Sequence, residues 1–153
     1  MSNENRRPFK QTGPLDGRRL PPRETTLSPR ISFTDRASRA PSHLLAQVGQ
    51  EDGSITTVGM TVKPKLVIGR EDPSINYIPD LNLSEFDGQL AGVSRQHAFI
   101  VEEDGQLFLL DNNSKNGTFH NDDKLDSRDQ VLLQDGDLIV LGRLPVVLYF
   151  VYD

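Results

Sequence analysis

Cysteine is absent from the 153 residues, which excludes disulfides, cysteine-ligated zinc and thiol catalysis and is compatible with a reducing compartment. No stretch approaches the roughly 20 apolar residues that span a bilayer. The opening MSNENRRPFKQTG also lacks the apolar segment of a secretory leader. Both absences predict a soluble, cytoplasmic protein. On that reading the two N-x-S/T patterns, Asn112-Asn113-Ser114 and Asn116-Gly117-Thr118, carry no sugar, because the transfer machinery does not operate in the cytosol. From His43 onward no amphipathic helical period is sustained over about ten residues.

Charge is present but unevenly placed. Residues 1–40 hold nine Lys+Arg against four Asp+Glu, whereas residues 41–153 hold eight against eighteen. The chain therefore reads as a basic tail on an acidic body. Residues 1–42 are rich in Pro, Arg, Ser and Thr, and their isolated apolar residues (Phe9, Leu15, Ile31) follow neither strand nor helix spacing. Such a segment buries too little to offset its ordering entropy, so it is predicted to be a disordered basic tail. The length of the remainder, 43–153, suits one compact domain.

That remainder is a series of short apolar runs: HLLAQV, SITTVGMTV, KLVIG, HAFIVE, QLFLLD, DLIVLG and VVLYFVY. Their β-branched and aromatic content and their lengths predict strands. The separators (Gln50 to Gly53, Glu103-Asp104-Gly105, Asn116-Gly117, Asp135-Gly136) carry turn residues, and Asn116-Gly117 predicts a type I′ turn. An all-β chain built as a β-sandwich is expected, with a small barrel as the alternative. The longest connection, residues 71–92, leaves room for one more short strand between Ile78 and Leu83.

Function is sought in the loops such a scaffold presents. Gly69-Arg70 ends a strand and sends out a guanidinium, either to a surface ion pair or to the oxygens of a phosphate or carboxylate. Ser94 and Arg95 precede His97, which opens an apolar run. The histidine is expected to tie the loop down through its two ring nitrogens. A Ser94/His97 nucleophile pair is the competing reading; it lacks an orienting third group and a strained G-x-S-x-G elbow. In DNNSKNGTF, Asn113, Ser114 and Lys115 exceed what a tight hairpin needs, and an asparagine carboxamide such as that of Asn116 can clamp an extended peptide backbone.

Taken in chain order, Gly69-Arg70, Ser94-Arg95-Gln96-His97, Asp111 through Ser114-Lys115-Asn116-Gly117-Thr118, Asn121, and Gln134-Asp135-Gly136-Asp137 leading into LIVLG resemble the forkhead-associated (FHA) domain over about Leu44 to Tyr152. The resemblance implies an eleven-stranded sandwich of two mainly antiparallel sheets. Its loops would bind phosphothreonine in a partner protein or peptide, downstream of a Ser/Thr kinase, without catalysis, cofactor or metal. It places the Ser94 hydroxyl on the phosphate, Arg70 on the phosphate or the peptide beside it, Arg95 at a second phosphate or peptide contact and Lys115 in the same binding loop. Asn116 would lie on the peptide main chain, with Gly69, His97, Gly117 and Thr118 in support. The tail's Arg23-Glu24-Thr25-Thr26-Leu27 is similar to the Glu-Thr-Thr element of small actinobacterial FHA regulators, implying that phosphorylated Thr25 or Thr26 occupies the chain's own site. The alternative is an FHA-like scaffold that ignores phosphate. The acidic body, without an exposed aromatic ladder, argues against specific nucleic-acid recognition, and the basic tail supports only weak, salt-dependent association; with no spanning stretch, no membrane partner is expected. His43 and His120 lack the companions of a metal site.

Overall fold

The computed structural model describes residues 39–153; the expected disorder of residues 1–38, with Thr25 and Thr26, lies outside the described residues. Eleven strands form and no α-helix occurs among the described residues. A six-stranded sheet runs in the order β2-β1-β11-β10-β7-β8, from Ile55–Thr61, His43–Gly49, Leu144–Val151, Asp137–Leu141, Thr118–His120 and Asp123–Lys124. A five-stranded sheet runs β4-β3-β5-β6-β9, from Leu81–Asn82, Lys65–Gly69, Ala98–Glu103, Gln106–Asp111 and Gln130–Leu132. All pairings are antiparallel except β3 with β4. The sandwich expected from the apolar runs is therefore the observed architecture.

Strand alternation explains the core, because a period of two sends every second side chain to one face. Leu44, Ala46 and Val48 of β1 and Leu144, Val146 and Leu148 of β11 face inward. They meet Leu66 and Ile68 of β3, Ala98 and Ile100 of β5, and Leu107 and Leu109 of β6. Each large aliphatic side chain buried this way stabilises the fold by about 1.5–3 kcal/mol. Asp111 ends β6 on the same inward face as Leu107 and Leu109. The pattern thus carries a carboxylate to the rim of the core, and the site is built around it.

The turns show what sequence alone misassigned. Asp104 and Gly105 both take positive φ (52° and 83°) between β5 and β6, giving the two-residue turn expected there. Asn121 and Asp122 (46° and 77°) do the same between β7 and β8. At Asn116-Gly117 the type I′ turn does not form: Gly117 is at φ 90° but Asn116 is not positive, and Asn113 is instead (54°). The reason is topological. β6 and β7 lie in different sheets, so residues 112–117 cross from one layer to the other and cannot close a hairpin. Of the stretch Ile78–Leu83, only Leu81–Asn82 becomes strand, followed by a 3-10 turn at Leu83–Phe86 capped by the Asn82 side chain. Before β1, Ser42 already bonds to Val151 and Val62.

Candidate functional site

Gly69 ends β3 against the backbone of the next segment: a Cβ there would sit 1.9 Å from the Arg95 carbonyl oxygen. Only glycine permits that approach, and it seats Arg70, whose amide donates to Arg95 O at 3.2 Å. The Arg70 Nε donates to Val93 O, while its two Nη groups find no acceptor among the described residues. One edge of the guanidinium is thus fixed to the scaffold and the other is unengaged among the described residues.

His97 is fully buried and both ring nitrogens are used. The Ser94 amide donates to Nδ1 at 2.9 Å, and Nε2 lies 2.8 Å from Gly117 O. An amide can only donate and a carbonyl can only accept, so the ring is the neutral Nε2–H tautomer. Burial, above all, pushes its pKa below the usual imidazole value, against the Gly117 carbonyl and the Asp111 charge. The histidine joins two loops, as expected from its place before the apolar run. With Nδ1 held by the Ser94 amide, it has no free nitrogen for the Ser94 hydroxyl, and the nucleophile reading fails on geometry.

Asp111 organises the second loop. Its Oδ1 accepts from the Ser114 hydroxyl (2.5 Å) and the buried Thr118 hydroxyl (2.6 Å), and its Oδ2 accepts from the Ser114 amide (3.1 Å). Burial works to raise its pKa, but these donors outweigh it and the carboxyl stays below the ordinary aspartate value. Ser114 Oγ in turn accepts from the Gly117 amide at 3.0 Å. Gly117 O takes both His97 Nε2 and the Gly142 amide, the latter at 2.9 Å. Asn112 is tied to the first loop through its amide to His97 O and its Nδ2 to Gln96 O at 3.0 Å.

This frame brings the five predicted contact residues onto adjoining segments. The Lys115 amide reaches Ser94 Oγ at 3.4 Å, and Asn116 Nδ2 donates to Gly92 O at 2.9 Å. The Lys115 side chain is exposed and has no partner among the described residues. Arg95 differs from the other cations: its Nη1 is paired with Asp72 Oδ2 at 2.6 Å, although its side chain remains 62% exposed. The Ser74 hydroxyl first, and then Arg95, hold the Asp72 carboxyl below the ordinary value. Sequence reasoning singled out neither Asp72 nor the glycines 88 and 142, and it gave Asp111 no role of its own. The available signal was the Asp-x-x-Ser spacing at 111–114, in which an aspartate accepts from the amide and hydroxyl three residues on.

The long connection 71–92 packs onto the rim of this site. Arg143 donates from its amide to Ala91 O at 2.8 Å and from Nη2 to Leu90 O. A cavity of about 560 Å³ opens between residues 49–51, the pairs Phe86-Asp87 and Leu90-Ala91, and residues 143–145. Elsewhere His120 Nε2 pairs with Asp137 Oδ2 at 2.7 Å, which is ordinary loop anchoring. No group of three or more potential metal ligands occurs among the described residues. No helix among them is long and apolar enough to cross a membrane.

Comparison with known proteins agrees with this fold. The chain is 31% identical over 136 residues, 88% of its length, to an ABC transporter ATP-binding/permease protein of Mycobacterium tuberculosis. It spans only 15% of that protein, and 17% of an FHA domain-containing protein of Arabidopsis thaliana that it also matches. Among solved structures it resembles an FHA domain of an Arabidopsis thaliana protein with 28% identity and a TM-score of 0.56, covering 74% of this chain and 89% of that one. It also resembles the N-terminal FHA domain of S. cerevisiae Rad53p in complex with a phosphothreonine peptide, with 25% identity and a TM-score of 0.53, covering 69% of this chain and 93% of that one. The sequence profile of the FHA domain matches residues 66–142, half of the chain and nearly all of the site just described. The chain belongs to the FHA domain family.

Proposed function

We propose that this domain captures a phosphothreonine-containing segment of a partner protein at the loops joining Arg70, Ser94, Arg95, Lys115 and Asn116. The observation that carries the reading is the free Nη edge of Arg70. It belongs to a guanidinium already oriented by Val93, on a segment adjoining the Ser94 hydroxyl and the Lys115 side chain. A dianionic phosphate supplies the acceptors these donors lack. The acidic body does not prevent this, since charges beyond a Debye length of roughly 8 Å are largely screened at physiological salt. A complex of a similar domain with a phosphothreonine peptide supports the same reading.

The module acts as a binder and not as an enzyme, downstream of a Ser/Thr kinase in the cytoplasm. Phosphorylation of Thr25 or Thr26 closes the site from within the same chain. A random chain of 18 residues, the separation of Thr25 from His43, would reach roughly 24 Å, with an effective concentration around the millimolar range.

Calorimetry with a peptide library degenerate around one phosphothreonine tests the first step. Arg70→Ala and Ser94→Ala are each expected to weaken capture by about one to two decades, the value of a charge-assisted hydrogen bond of about 1.5–3 kcal/mol. Equal capture of phosphorylated and unmodified peptides would instead assign a phosphate-independent scaffold. Kinase treatment of the tail that leaves partner affinity unchanged would remove the switch.

A further inference from the structure

The sheets end on four edge strands, and three are protected by brevity: β4 and β8 have two residues each and β9 has three. Short edges give a passing chain little to pair with. The fourth, β2, has seven residues, Ile55-Thr56-Thr57-Val58-Gly59-Met60-Thr61, with no charge and no proline, and all but Val58 and Met60 are exposed. It carries β-branched side chains at five positions and, among the described residues, none of the devices that normally blunt an edge.

Its open hydrogen-bonding groups can be identified. Gln50 N donates to Ser54 O and Val62 N to Ser42 O, which in the β1–β2 register makes the even-numbered residues of β2 the ones bonded to β1. The N–H and C=O groups of Ile55, Thr57, Gly59 and Thr61 are left on the outer edge, without a partner among the described residues.

We propose that β2 pairs antiparallel with β2 of a second copy of this chain, about a two-fold axis at Val58. In that register Thr57 stands opposite Gly59 of the second copy and Ile55 opposite Thr61, so each open group meets its complement. On the inward face Val58 meets Val58, and Met60 meets Thr56. Charge selects the same arrangement. β2 is preceded by Glu51 and Asp52 and followed by Lys63, which Asp80 already holds at 2.6 Å, and by Lys65 over the Phe99 ring; an antiparallel pair brings this end to the acidic one, whereas a parallel pair sets Glu51 and Asp52 against their own copies. An isologous contact of this kind closes as a dimer and does not propagate. One strand pair buries less than the roughly 1,200 Å² of a standard interface, so the dimer is weak and concentration-dependent. Since β2 carries none of the phosphopeptide-contact residues, this surface is independent of the proposed function.

The test is sedimentation velocity and amide hydrogen exchange on the full chain from about 5 to 500 µM, the range a small interface demands. A monomer–dimer equilibrium is expected, with protection of the Thr57, Gly59 and Thr61 amides rising with concentration. The double variant Ile55→Lys/Thr61→Lys, at two exposed positions, sets like charges opposite each other and is expected to weaken association at least about tenfold. Ile55→Glu/Thr61→Lys sets opposite charges there and is expected to associate as well as the parent chain. A chain monomeric throughout, a dimer indifferent to the Lys/Lys pair, or edge protection independent of concentration, which would give the edge to another segment of the same molecule, each overturns the proposal.

Discussion

Replacing Asp111 by Asn changes one atom type at the centre of the loop frame. The carboxylate receives the Ser114 amide on Oδ2 and the Ser114 and Thr118 hydroxyls on Oδ1. An asparagine keeps one acceptor oxygen, so its amide nitrogen faces a donor. With the oxygen toward the hydroxyls, the Ser114 N–H loses its partner at about 1–3 kcal/mol, and the two hydroxyl bonds fall from charge-assisted to neutral strength at about 1 kcal/mol each. Relief of carboxylate burial offsets part of this. A net loss of about 2–3 kcal/mol is expected, or roughly 8–12 °C in Tm for a domain of this size.

Acid separates this mechanism from a generic packing defect. The folded pKa of Asp111 is lowered, so its contribution is complete above the unfolded value of about 3.9 and is lost as pH falls through the folded value. The stability gap between parent and Asp111→Asn is therefore constant near neutrality and narrows below about pH 4. Calorimetric melting from pH 7 to the acid limit reads both. A Tm within about 2 °C of the parent, about 0.5 kcal/mol on the same conversion, or a gap indifferent to acid, would refute the role given to the carboxylate.

Three further outcomes follow from the same frame. His97, buried neutral with a lowered pKa, adds an acid instability that begins when the unfolded imidazole takes up a proton near pH 6.5, with full stability above that value; chemical denaturation of His97→Gln should lack this component. Gly69→Ala drives a Cβ into the Arg95 carbonyl and should cost about 3 kcal/mol or more, visible as a lowered denaturation midpoint. Lys115→Ala, at an exposed and unpaired side chain, should leave stability within about 0.5 kcal/mol while lowering phosphopeptide affinity and flattening its dependence on salt in a titration series.

Sequence by itself determined the layers. Alternation in HLLAQV, QLFLLD and VVLYFVY set the inward faces, and the strands predicted for these runs form within a residue or two of their expected ends. It also marked Arg70, Ser94, Lys115 and Asn116, because polar loop residues beyond the needs of a turn stand out against apolar strands. The three short strands β7, β8 and β9 left no such trace, since two or three residues show no period. Tertiary structure decided the rest. Asn116-Gly117 reads locally as a hairpin turn, yet the chain there must step between sheets, so the turn gave way to a crossing loop pinned by Asp111, Ser114 and His97. Arg95 reads locally as a free cation, yet the fold sets Asp72 beside it. Backbone propensity and side-chain period act over a few residues, enough for Asp111 with Ser114 and Ser114 with Gly117, whereas Asp111 with Thr118, His97 with Gly117 and Asp72 with Arg95 lie seven to twenty-three positions apart and meet only once both sheets have closed over the core.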